Sequence, residues 1–166
     1  GNILIETDKN ELNLIDYGAV EKLTKLQRIQ FAKLLISICE KNDEKIVKYY
    51  KECGGSSKYD KDAFHLAYAL FCFNRGFYPA DFKRLGLIPE DSTGSAEDWI
   101  QFDHNLNALD KPESFPKHLI MLQRLAQVLL GLGMEVGVSA EKPLSLAEMW
   151  RDRAWELLDR EGIKEI

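Results

Sequence analysis

The sequence predicts a mainly α-helical fold with one β-hairpin at its N-terminal end. Three observations lead there. Two capping boxes, Thr24-Lys25-Leu26-Gln27 and Ser145-Leu146-Ala147-Glu148, mark helix starts. In such boxes a hydroxyl and a carboxamide or carboxylate satisfy N–H groups that a first helical turn leaves without partners. Beyond residue 24, apolar residues recur at helical spacing over most of the chain. Ahead of it, two short apolar runs flank the turn-forming Thr7-Asp8-Lys9-Asn10-Glu11.

The runs, residues 2–6 and 12–16, pair as antiparallel strands, because so short a connection cannot serve a parallel crossover. A hairpin alone is marginal in water, so this one packs on something else. The first helix follows Thr24, with Leu26, Ile29, Phe31, Leu34, Leu35, Ile38 and Cys39 as a broad apolar face. Asn42-Asp43 ends it and caps a second helix lined by Ile46, Val47, Tyr49, Tyr50 and Cys53, which Gly54-Gly55 stops.

Asp60 is expected to cap a third helix that runs to about Asn74 and buries Phe64, Ala67, Tyr68, Leu70 and Phe71. Residues 77–94 contain Pro79, Gly86, Pro89 and Gly94 and read as turns around Phe82 and Leu85. Ser95-Ala96-Glu97-Asp98 opens the next helix, carrying Trp99, Phe102 and Leu106. After the break at Lys111-Pro112, Pro116 suits the first turn of the longest helix. Its face of Leu119, Leu122, Leu125, Val128, Leu129 and Leu132 is expected to be the most buried in the chain. The last helix starts at Ser145 and carries Trp150, Ala154, Leu157 and Leu158, with Leu144 placed to staple against Met149. With no internal repeat, the expectation is one domain over 1–166, a hairpin at 2–16 and a helical region at 24–166.

Composition narrows the function. A chain of 166 residues, 45% apolar and 30% charged, can bury a core. Net charge is −5 and the cations are scattered, so no basic block is available to neutralise a nucleic-acid backbone. Cys39, Cys53 and Cys72 form no Cys-x-x-Cys pair and read as buried reduced thiols. The longest apolar or glycine run, Val128 to Met134, is far short of the roughly 20 residues of a membrane span. No secretory signal opens the chain, and an initial Gly is what a processed or excised chain would show.

Polar chemistry concentrates in the hairpin. Mg²⁺ takes oxygen ligands and sheds water reluctantly, so proteins offer it one or two side-chain oxygens together with substrate phosphates. Asn2 and Asp16 supply an amide oxygen and a carboxylate at adjacent hairpin ends, and Gly18 allows a sharp turn just after. Residue type alone favours reading both as turn residues.

The segments Gly1-Asn2-Ile3-Leu4-Ile5 and Leu14-Ile15-Asp16-Tyr17-Gly18 resemble the metal-binding stretch of a protein-kinase-like lobe. Their continuation through Gly18-Ala19-Val20-Glu21-Lys22-Leu23-Thr24, Gln27-Arg28, Phe31-Ala32-Lys33-Leu34-Leu35 and Asn42-Asp43 is similar to the UbiB family, also called the aarF-domain or ADCK family. Those atypical kinase-like proteins are linked to coenzyme Q and other prenyl-quinone metabolism. The resemblance covers about residues 1–50 and implies the helical C-lobe portion of a protein-kinase-like fold.

It further implies Asn2 and Asp16 as Mg²⁺ ligands, with Leu4 and Ile15 lining the adenine pocket of a bound ATP. Tyr17 stands where Phe is usual, which keeps the ring and adds a hydroxyl. The family's catalytic Asp belongs before Gly1, as do its phosphate-covering loop, ATP-contacting Lys and N-terminal extension. This chain alone is therefore expected to be inactive, with the upstream part of the same domain as its first partner. Membrane-associated quinone-biosynthesis proteins are further implied partners. The family's habit places eukaryotic members in mitochondria or plastids, and bacterial ones in the cytoplasm or at the inner-membrane periphery. Two alternatives stand beside this reading. One is a small-molecule phosphotransferase of the aminoglycoside- or choline-kinase type, and the other a non-catalytic helical interaction module.

Other constellations are weaker. Asp103-His104-Asn105-Leu106-Asn107 echoes a calcium loop, but Ala108 replaces its Gly and Ser114 its bidentate Glu, so a polar helix end is expected. Gly131-Leu132-Gly133 follows a helical run and is read as a helix terminus. His65, His104 and His118 lack metal-ligand spacing.

Overall fold

The computed structural model describes residues 3–6, 8, 9, 11–14, 20–135, 137 and 144–166. It is mainly helical, as the sequence predicts, with a two-stranded antiparallel hairpin at the front. Strands β1 (Ile3–Glu6) and β2 (Glu11–Leu14) pair in the register Ile3 to Leu14 and Glu6 to Glu11. At the turn, Lys9 donates its amide to the Glu6 carbonyl and its ammonium to the Glu6 carboxylate.

Helix α1 (Lys25–Cys39) begins at the capping box read from sequence. The Gln27 amide donates to Thr24 Oγ1 at 3.2 Å, and the Thr24 amide donates to Gln27 Oε1 at 2.9 Å. Asn42 caps α2 (Asp43–Glu52) by accepting from the Lys45 amide. Gly54 then takes φ +97°, and a Cβ on Gly55 would fall 2.3 Å from the Tyr50 ring, so both glycines are demanded by the turn.

Helix α3 (Asp62–Phe73) does not start as expected. Its N-cap is Lys61, with no side-chain cap, while Asp60 sits at φ +52° and turns its carboxylate toward His65 and Lys51. Asp tolerates the left-handed region better than most residues, which makes it a usable corner here. The stretch read as turns contains a short helix α4 (Pro79–Lys83), with Pro79 in its first turn and Phe82 fully buried.

Helix α5 (Ala96–Leu109) opens on Ser95, whose box partner Asp98 also accepts the amides of Thr93 and Gly94. The residues that echo a calcium loop lie inside α5 and not at a helix end, and Asn105 donates to the Leu87 carbonyl. Strand β3 (Ser56–Ser57) pairs antiparallel with β4 (Pro112–Ser114), a ladder too short to leave any periodic trace in the sequence.

Helix α6 (Lys117–Glu135) runs through Gly131 and Gly133 instead of ending there. It is also not the most buried element: Leu125, Val128 and Leu132 are 43%, 54% and 41% exposed. Its described contacts run along Leu119 and Ala126, which are buried, toward α3. Its leucine stripe is broader than the surface it packs on among the described residues, and the remainder stays exposed. Helix α7 (Leu146–Arg160) starts at Ser145, but only half of the expected box forms. Ser145 accepts the Glu148 amide, while the Glu148 carboxylate reaches across to Arg75.

One core joins α1, α2 and α3 with Phe82, Phe102, Leu106 and Leu119. Aromatic rings fill its α4–α5 end. Phe82 lies 4.3 Å from Phe102 and stacks on Phe77 at 5.8 Å, and Trp99 closes the group at its half-exposed edge. Truncating Phe82 removes the ring on which this end converges. Phe82→Ala is expected to destabilise the protein by about 3–5 kcal/mol, read as a lowered urea midpoint with an unchanged denaturant slope.

Candidate functional site

Of the residues assigned to a site from sequence, Leu4 lies in β1 opposite Asn13. Asn2, Ile15 and Asp16 lie outside the described residues. What the structure adds is register. Ile3, the residue after Asn2, stands opposite Leu14, the second residue before Asp16.

Among the described residues, no group of three or more His, Cys, Asp or Glu side chains could hold a metal ion. A cavity of about 470 Å³ opens among the helices, and none of its lining comes from the hairpin. The cysteines form no disulfide. Burial raises the thiols of Cys39, Cys53 and Cys72, that of Cys53 to about 12, so none is poised as a thiolate nucleophile.

A second polar constellation escaped the sequence reading. Ser57, His65 and Asp110 are 5%, 0% and 2% exposed and meet beneath the β3–β4 ladder. The Ser57 hydroxyl donates to Asp110 Oδ2 at 2.7 Å, and His65 Nε2 lies 3.2 Å from Ser57 Oγ and 2.9 Å from Asp60 Oδ1. Asp60 can only accept, so Nε2 carries the proton, and Nδ1 is buried with no partner among the described residues. These residue types suggest an acyl-transfer triad, but the hydrogen bonds run the wrong way. A nucleophilic serine gives its proton to histidine, and this one gives it to the carboxylate.

The group works instead as a fastener. Asp110 also accepts the amides of Tyr59, Lys61 and Lys111 at 2.8–3.2 Å, tying the corner ahead of α3 to the chain leaving α5. Burial pushes the Asp110 carboxyl up, but the Ser57 hydroxyl and those amides outweigh it and bring the group down to about 2. Ser57 and Asp110 are 53 residues apart, and no local motif links them.

Residues 1–50 match the family model described as the ABC1 atypical kinase-like domain, which is consistent with the resemblance to the UbiB family over the same stretch. No curated protein and no solved structure matches the chain. The match covers the hairpin, α1 and all but the last residues of α2.

Because the folded carboxyl of Asp110 is held below its ordinary value, its stabilisation is present at neutral pH and is lost as pH falls toward 2. Urea titrations from pH 7 to pH 2 are expected to show that loss. Asp110→Asn is expected to be less stable at pH 7 and to show a shallower decline in acid.

Proposed function

We propose that this chain is the C-terminal part of an atypical kinase-like protein of the UbiB type, which binds ATP with Mg²⁺ and hydrolyses it or transfers its phosphoryl group. The observation that carries the reading is the kinase-like match over residues 1–50, a span that includes both Asn2 and Asp16. The antiparallel register of β1 and β2 supports it, since it brings together the sequence neighbours of the two proposed ligands.

In this reading the Asn2 amide oxygen and the Asp16 carboxylate bind the metal, and Leu4 and Ile15 bound the adenine. Mg²⁺ held there would supply positive charge to offset that of the nucleotide phosphates. Asn2 contributes no charge, so Asp16 supplies the one anion and dominates the affinity of the pair. In this role Asn2 and Asp16 would position the metal without taking a proton. The physiological role proposed is support of coenzyme Q or related prenyl-quinone metabolism, with other quinone-biosynthesis proteins at a membrane as partners. The compartment proposed is a mitochondrion or plastid in a eukaryote, or the bacterial cytoplasm and inner-membrane periphery.

The test uses the intact protein with its upstream domain. Mg²⁺–ATP at about a hundred times its Kd should stabilise it by roughly 2.7 kcal/mol. Asp16→Asn should lose most of that gain while unfolding at the same temperature without ligand. Equal stabilisation of the two proteins would remove Asp16 from the metal site.

A further inference from the structure

Helix α6 buries Leu119 and Ala126 against α3, and its opposite side faces out. That outer side is apolar. Leu125, Val128 and Leu132 are exposed there, and Met121, one turn ahead of Leu125, is half-buried. Their spacing of four, three and four residues sets the four side chains in a single row along the helix. A row of this spacing is the seam of a coiled coil, in which each side chain enters a hole between residues of a facing helix. The occupant it fits is another helix.

Gly131 borders that row inside α6. Glycine weakens a helix interior, and a Cβ at this position would meet nothing within 4 Å. No contact among the described residues calls for it. A second helix lying against the row would, because the bare backbone lets it approach closely.

The charges along the row differ between its ends. Lys117 and Arg124 border its first half, and Glu135 closes the helix. Lys117 holds Glu21 at 2.7 Å, yet its side chain stays 78% exposed and open to a further carboxylate. Glu135 is exposed as well. Two copies of α6 laid antiparallel set each Glu135 beside the other's Lys117. Laid parallel, they set one Glu135 against the other in the seam itself. The helix complements its own charge in the antiparallel direction alone.

We propose that α6 is a self-association face, through which two copies of this chain pair antiparallel about an axis between Leu125 and Val128. Leu125 then packs on the second copy's Val128, and Met121 on its Leu132. The stem of Arg124 lies over the bare backbone of the second copy's Gly131. The row spans only two heptads, so the dimer is reversible and forms with rising concentration. It involves neither the hairpin nor a nucleotide.

Sedimentation velocity on the 166-residue chain, from micromolar to millimolar concentration, is expected to show a monomer passing to a dimer. Val128→Lys changes an exposed helical position, so it should keep the Tm of the dilute protein and abolish the dimer. Val128→Gln repeats the test without a new charge, should the first variant fold poorly. Gly131→Gln should raise the Tm of the dilute protein and weaken the dimer severalfold. A merely loosened fold would not move the two readouts in opposite directions. Glu135→Lys should weaken association severalfold in low salt and less in high salt, whereas a parallel pair would not be weakened. A monomer at every concentration, a dimer undiminished by both Val128 variants or by Gly131→Gln, or no loss with Glu135→Lys would each overturn the proposal. So would a monomeric intact protein whose 166-residue part dimerises, since the face would then be covered by the upstream domain.

Discussion

Burial of α1 on two sides is the constraint on which the helical body depends. Phe31, Leu34, Leu35 and Ile38 face the core shared with α2 and α3, while Ala32 and Ile36 face Ala154 and Leu158 of α7. The charged residues Lys25 and Arg28 stay exposed at its first turns, while further along even Ser37 is fully buried, its hydroxyl donating back to the Lys33 carbonyl. Alanines on both helices of the α1–α7 contact let the backbones approach closely. Phe31 touches the ring of Phe73 on one side and that of Trp150 on the other, so one side chain joins the two packing surfaces.

Apolar contact does not fix where α7 begins, and a single buried amide does. Asn74 ends α3, receives the Leu146 amide on its carbonyl and the Ser145 hydroxyl on its side chain, and passes a hydrogen bond to Asp81 of α4. Three elements are registered at one residue. Desolvation raises the Asp81 carboxyl, against the pull of Arg75, the Asn74 amide, Arg84 and Lys41. Asp110 plays the equivalent part at the opposite end of α3. Both positions put a polar side chain with several partners where the chain changes direction, and an apolar residue would leave those partners buried and unsatisfied.

The helix starts were legible because capping is local. Thr24, Asn42, Ser95 and Ser145 each accept the backbone amide that their spacing announces. Asp60 failed for the same reason: Asp is suited both to an N-cap and to a left-handed corner, and the choice is made by His65 and Lys51, which local sequence does not reveal. The periodicity of α6 reported an apolar face truly but not the width of the surface opposite it. At the proposed metal site, motif supplied Asn2 and Asp16 and structure supplied the register of the strands between them. The Ser57–His65–Asp110 fastener had no signature, because its members come from a two-residue strand, a helix interior and a helix end.

The kinase-like match stops at residue 50, but the packing does not. Tyr50 is 1% exposed, and its ring lies against His65 and Tyr68 of α3. Ile46 and Tyr49 belong to the same core as Phe64, Phe82, Phe102 and Ala147. A chain cut at the end of the match would expose the inner faces of α1 and α2 together, a loss that two short helices cannot make good. The helices beyond residue 50 cover the apolar faces of the segment that matches. The boundary of the match at residue 50 therefore falls in the middle of a core.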